Sequence, residues 1–273
     1  MLKTRVKNYR NDINNELKEN KNSFIVFSIL RALVIFAGVR SLLRSDYESF
    51  YLCILTILLL LLPSIIKAHF RIELPQTLEI IIYCFIFSAE ILGELDSFYT
   101  LIPIWDTVLH TINGFLAAAI GYSMVILLNN DNKVAFNLSP LYLSLVAFCF
   151  SMTIGVLWEF GEFFLDVFFN IDAQKDTIIH NINSVLLNPT GLNDVVRIYN
   201  IDSVAVNGVD LGINGYLDIG LLDTMNDLFV NFIGAVLFSI YGYYYAKSNI
   251  RPEMFEQLLP TKKKLYYKLN TKE

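Results

Sequence analysis

The chain has 273 residues, 55% of them hydrophobic and 17% charged, with a formal net charge of -5. Soluble domains carry about 25% charged residues, and the deficit here is gathered into apolar runs near the roughly 20 residues that cross a bilayer. This excludes an ordinary soluble enzyme, and with the basic residues at the edges of those runs no nucleic-acid partner is expected. Cys53, Cys84 and Cys149 are odd in number, lie inside apolar runs and form no C-x-x-C spacing. They read as small buried hydrophobes, without a disulfide framework.

Residues 1–22 are polar and mixed in charge, and Arg40 and Arg44 follow the first apolar run where a small-residue cleavage site would stand. No cleavable signal peptide is therefore expected. Six segments read as membrane helices: 23–42, 47–66, 76–96, 104–128, 140–169 and 221–246. The fold class is an all-α polytopic bundle over 23–246, preceded by a short N-terminal segment and followed by a basic tail, 247–273. Segment two holds the unbroken run Leu58 to Leu62. Segment five is long enough to tilt or to project beyond the bilayer.

Lysine and arginine set the orientation, because cytoplasmic loops are enriched in them. With the N-terminus inside, the inner segments hold sixteen Lys/Arg and the outer ones three, Arg44, Lys175 and Arg197. Both termini are thus expected in the cytoplasm of a bacterial or archaeal cell, in contact with membrane lipid. Residues 170–220 contain Gly191, Gly208, Gly212, Gly215 and Gly220 and a β-prone stretch from Val195 to Val209. They read as a short hairpin or lid on the outer surface, with a plain connector as the alternative.

A charge near the middle of a span costs about 2.5–3.5 kcal/mol and asks for a reason. Arg31 lies mid-span in segment one with no evident partner. Segment three carries Glu90, Glu94 and Asp96; segment four Asp106, His110 and Asn113; segment five Glu159, Glu162 and Asp166; segment six Asp223 and Asp227, with Asn231 beyond. Spacings of three, four and seven residues put Glu90 with Glu94, and each of the other three sets, on one helical face. In the six-span topology all four sets fall toward the outer end. Trp105 and Trp158 each precede an acid of the cluster. Gly114, Gly155, Gly161 and Gly234 would permit close helix approach.

Carboxylates crowded together raise one another's pKa or gather round a cation. Carboxylates plus one imidazole on facing helices are the donors of bundle metal sites. A divalent metal ion is the expected cofactor, with Asp106, His110, Glu159 and Asp227 as ligands and Glu162 or Asp223 as general base. A proton or ion pathway, and solvated acids at helix ends, are the alternatives.

The strings W-D-T-V-L-H-T-I-N-G-F (105–115), W-E-F-G-E-F (158–163) and D-T-M-N-D-L-F-V-N-F-I-G-A (223–235) resemble the YjdF-like bacterial inner-membrane family. More distantly they resemble the VanZ-like family, whose pattern falls here on His110, Glu159 or Glu162, and Asp227, Asn231 and Gly234. The resemblance implies an envelope role and the same choice of residues. Two classes of function follow: a metal-dependent enzyme acting on a lipid-linked or envelope substrate at the outer face, or a non-enzymatic envelope protein or cation/proton transporter using the same cluster.

Overall fold

The computed structural model describes residues 21–70, 72–129, 138–248 and 252–262. Helix α1 (Lys21–Leu43) is followed by α2 (Tyr47–Leu60) and α3 (Leu62–Phe70), which together form the second expected span. The break between them falls at Leu61, whose N–H bonds back to the Leu58 carbonyl, just ahead of Pro63. Proline has no N–H to donate and its ring crowds the preceding turn.

After a short strand β1 (Ile72–Glu73) comes α4 (Gln76–Phe87), which runs on as a π-helix over Ser88–Leu95. The third expected span is thus 12 residues of α-helix continued by 8 of π-helix. A single helical turn α5 (Phe98–Leu101) leads to α6 (Trp105–Asn129), then α7 (Pro140–Phe169) and α8 (Leu221–Lys247). Ser139 caps α7 by accepting the Tyr142 N–H, with Pro140 at the first helical position. Among the described residues five helical stretches, Lys21–Leu43, Tyr47–His69, Trp105–Asn129, Pro140–Phe169 and Leu221–Lys247, are long and apolar enough to cross a membrane. Exposed Phe36, Leu58, Phe160, Phe163, Leu237 and Tyr244 give them the apolar outer surface that lipid requires.

The helices pack as two groups. Val34, Cys53, Leu60, Tyr83, Ile86 and Ile91 make a core between α1, α2 and the α4/π-helix run. Ala118, Ala119, Tyr122, Leu143, Ala147 and Phe238 make another between α6, α7 and α8. Leu74, Leu78 and Leu116 join the groups near the end opposite the 170–220 loop. At that end Glu79, 2% exposed, accepts a 2.7 Å hydrogen bond from Ser23 and pairs with Lys67, which ties α1, α3 and α4 together.

Part of the expected basic tail is built into the fold. A turn of helix α9 (Glu253–Glu256) buries Phe255 against Tyr122, Phe238, Tyr241 and Tyr245. Residues Thr261–Lys262 then form β8, antiparallel to β1. Lys263, Lys264 and Lys268 lie outside the described residues, as does most of 1–22. Of the cysteines, Cys53 is buried as expected, while Cys84 and Cys149 are exposed on the bundle surface. Arg31 is also exposed, on the outside of α1.

The 170–220 segment is zipped at its base. Strand β2 (Ile178–Ile179) pairs with β7 (Tyr216–Leu217), and β3 (Ile182–Ser184) with β4 (Val196–Ile198). The hairpin β5 (Ala205–Val206) and β6 (Val209–Asp210) turns at Asn207 and Gly208, with φ of 54° and 80°. Positive φ at both central residues is the tight-turn geometry that Asn-Gly favours.

Candidate metal centre

Asn231 on α8, 1% exposed, lies against both α6 and α7. A Cβ on Gly114 of α6 would stand 2.1 Å from the Asn231 carbonyl oxygen, and one on Gly155 of α7 2.7 Å from its Nδ2. A Cβ on Gly234 would stand 2.1 Å from the Thr111 carbonyl oxygen. Glycine is required at these crossings because no side chain fits. Gly161, expected to serve likewise, has open space around it.

One helical turn from this knot, toward the 170–220 loop, each helix presents an ionisable group. They are His110, four residues before Gly114; Glu159, four after Gly155; and Asp227, four before Asn231. The close packing therefore dictates that they meet. His110 Nε2 lies 3.4 Å from Asp106 Oδ1 and 3.5 Å from Asp227 Oδ2. Asp106, His110 and Asp227 can each place a donor atom within 4.8 Å of the others, and so can Glu159, Glu162 and Asp227.

Burial makes this costly. Asp227 is 2% and Glu159 4% exposed, and Asp227 Oδ1, Glu159 Oε2 and Glu162 Oε2 are buried without a hydrogen-bond partner. Among the described residues no Lys or Arg forms an ion pair with these carboxylates. Two like charges 4.8 Å apart repel by about 3.5 kcal/mol at an effective dielectric of about 20. Buried carboxyl oxygens without partners are a donor set that a divalent cation satisfies. The residues thus fit such an ion.

The other sequence candidates fall around this centre. Trp158 donates its indole N–H to Glu162 Oε1 at 2.8 Å, and Trp105 donates to the Ser88 carbonyl at 3.3 Å. Trp158 thus fixes a carboxylate of the site, while Trp105 ties α6 to the start of the π-helix. Asp223 accepts the Lys175 N–H through Oδ2 at 2.8 Å. Asp166 accepts the N–H groups of Ala173 and Gln174 at 2.5 and 2.9 Å. These two carboxylates pin the start of the loop across α7 and α8, where Gln174 also bonds Thr224. Lys175 Nζ reaches to 3.9 Å from Glu94 Oε1, so the loop start spans from α8 to the π-helix.

Tyr99 is a residue that spacing did not single out. Its ring lies over Gly93, where a Cβ would come within 2.4 Å of it. Burial first, then the charges of Asp106, Glu94, Glu90 and Glu162, push its phenol pKa up. Acids of the π-helix, of α6 and of α7 therefore act on one hydroxyl. The only advance signal was its place between two charged segments.

A helical bundle with an apolar outer surface and ionisable groups gathered at one end defines a polytopic α-helical membrane protein. The family model described as "Predicted membrane protein (DUF2238)" matches residues 23–248, and the chain belongs to that family. The match contains all three strings that carried the YjdF-like resemblance; the VanZ-like likeness rests on the residue pattern alone. No curated protein and no solved structure matches the chain.

Proposed function

We propose that the protein binds a divalent cation at the extracytoplasmic end of its bundle and acts there on a lipid-linked or envelope substrate. Asp106, His110, Glu159 and Asp227 are the ligands. The observation that carries this reading is the set of buried, unpartnered carboxyl oxygens on Asp227 and Glu159 beside His110. A metal there would supply Lewis acidity and a low-pKa water. Glu162 and Asp223 are the base candidates, and each spends one oxygen on a fixed donor, Trp158 and the Lys175 N–H.

The orientation rests on the bias of sixteen Lys/Arg against three, which puts both termini inside and the 170–220 loop outside. A one-sided site is favoured over a transport path. Below Asn231 the buried surfaces of α6, α7 and α8 are Ala118, Ala119, Leu143, Ala147 and Phe238 with the hydroxyls of Ser123, Ser144 and Ser239 among them, and they carry no carboxylate for a cation. The test is the metal content of detergent-purified protein beside that of Glu159→Gln. Retained metal in the parent and a clear loss in the variant, at equal membrane levels, support the site. No metal in either, after growth with Mg²⁺, Mn²⁺, Fe²⁺ and Zn²⁺ supplied, overturns it.

A further inference from the structure

The two donor triads share one residue. Asp106, His110 and Asp227 form one, Glu159, Glu162 and Asp227 the other, and each closes within 4.8 Å. Asp227 stands between them on α8, with α6 supplying one side and α7 the other. Its Oδ2 faces His110 at 3.5 Å, and its Oδ1 is buried without a partner.

We propose that the centre holds two divalent cations bridged by the Asp227 carboxylate. This rests on the cation-site reading above and goes beyond it in number and arrangement. One cation sits among Asp106, His110 and one Asp227 oxygen. The other sits among Glu159, Glu162 and the second Asp227 oxygen. A carboxylate offers two oxygens, and paired metal sites use such bridges to hold ions about 3.5–4 Å apart.

Charge favours the pair. Ionised together, Asp106, Glu159, Glu162 and Asp227 would bring four negative charges to one end of the bundle with no ion-paired Lys or Arg among the described residues, and two divalent cations would cancel them. A single cation would leave two of these carboxylates without a counter-charge. The unpartnered oxygens divide in the same way. Glu159 Oε2 and Glu162 Oε2 lie buried on the α7 side, where a cation held by His110 and Asp106 leaves them unsatisfied. Four carboxylates and one imidazole suit hard or borderline ions of the Mg²⁺, Mn²⁺ and Fe²⁺ class better than thiophilic ones. Glu162 thereby becomes a ligand, and the role of base passes to Asp223, whose Oδ2 is fixed by the loop.

The experiment is titration of metal-stripped, full-length protein in detergent with Mn²⁺, read by bound equivalents and by electron paramagnetic resonance. Two equivalents and a spin-coupled signal are expected in the parent protein. Asp106→Asn and Glu162→Gln, each removing a ligand from one side, should bind one equivalent and give the signal of isolated ions. One equivalent in the parent, or two uncoupled ones, overturns the pair and leaves a single-cation site standing. Two equivalents with undiminished coupling in Glu162→Gln also overturn the bridged arrangement. No binding in the parent removes the cation site itself. Should a variant fail to fold, the parent's stoichiometry and coupling decide alone.

Discussion

His110 on α6 and Asp227 on α8 meet with Nε2 and Oδ2 3.5 Å apart, one turn above the crossing where Gly114 lies against the Asn231 backbone. The contact of the two helices fixes this approach. The geometry of the site therefore depends on residues that carry no charge.

Gly114→Ala and Gly234→Ala should each disrupt this end of the bundle. The added methyl would sit 2.1 Å from a backbone oxygen that cannot swing aside, and overpacking of this kind costs about 1–3 kcal/mol. Thermal unfolding in detergent should show a lowered midpoint for both. Gly161→Ala, with nothing near its Cβ, should leave the midpoint unchanged. Equal effects at Gly161 and Gly114 would remove the packing account.

The start of the loop is held by Asp166 and Asp223, so Asp166→Asn with Asp223→Asn should loosen it. Charge-assisted bonds of this sort are each worth about 1.5–3 kcal/mol. Limited proteolysis from outside sealed cells should cut within 172–177 faster in the double variant. Unchanged cleavage would reduce these bonds to incidental contacts.

Asp176 has the opposite sign. Burial, then the charges of Asp172, Asp218 and Asp166, raise its pKa above the usual carboxylate range. A raised folded pKa means that the folded loop binds the proton more tightly than the unfolded chain. Asp176 therefore destabilises the loop increasingly as pH rises through its titration, and not below it. Asp176→Asn should slow proteolysis of the loop at neutral pH, and the two proteins should converge in acid. A variant cleaved faster at neutral pH would contradict this.

Membrane orientation is open to direct labelling. Single cysteines at Asn188 and at Gln257, in a background lacking Cys53, Cys84 and Cys149, should react with an impermeant maleimide from outside and inside respectively. Labelling of Gln257 from outside would reverse the orientation.

Much of this architecture was legible beforehand, and the reasons differ by element. The bounds of α7 follow from Ser139-Pro140 at one end and the return to polar residues after Phe169, and the expected 140–169 coincides with Pro140–Phe169. The acids of α6, α7 and α8 could be grouped because helical periodicity fixes which residues share a face. The conversion of the third segment to a π-helix after Phe87 has no local signature, since it changes hydrogen-bond register and leaves composition unaltered. The Asn207-Gly208 turn was legible and was absorbed into a longer β-prone stretch. The burial of Phe255 depends on tertiary contact with Tyr122 and Phe238 from distant helices, which a basic tail sequence conceals.

The central claim is that His110 and the surrounding carboxylates hold a metal. X-ray absorption at the metal edge of the purified protein tests it most directly. The account predicts a cation bound by oxygen atoms and imidazole nitrogen, with the imidazole scattering lost in His110→Ala while oxygen ligation remains. A bound metal whose spectrum is the same in His110→Ala, or one with no nitrogen ligand in either protein, would contradict it.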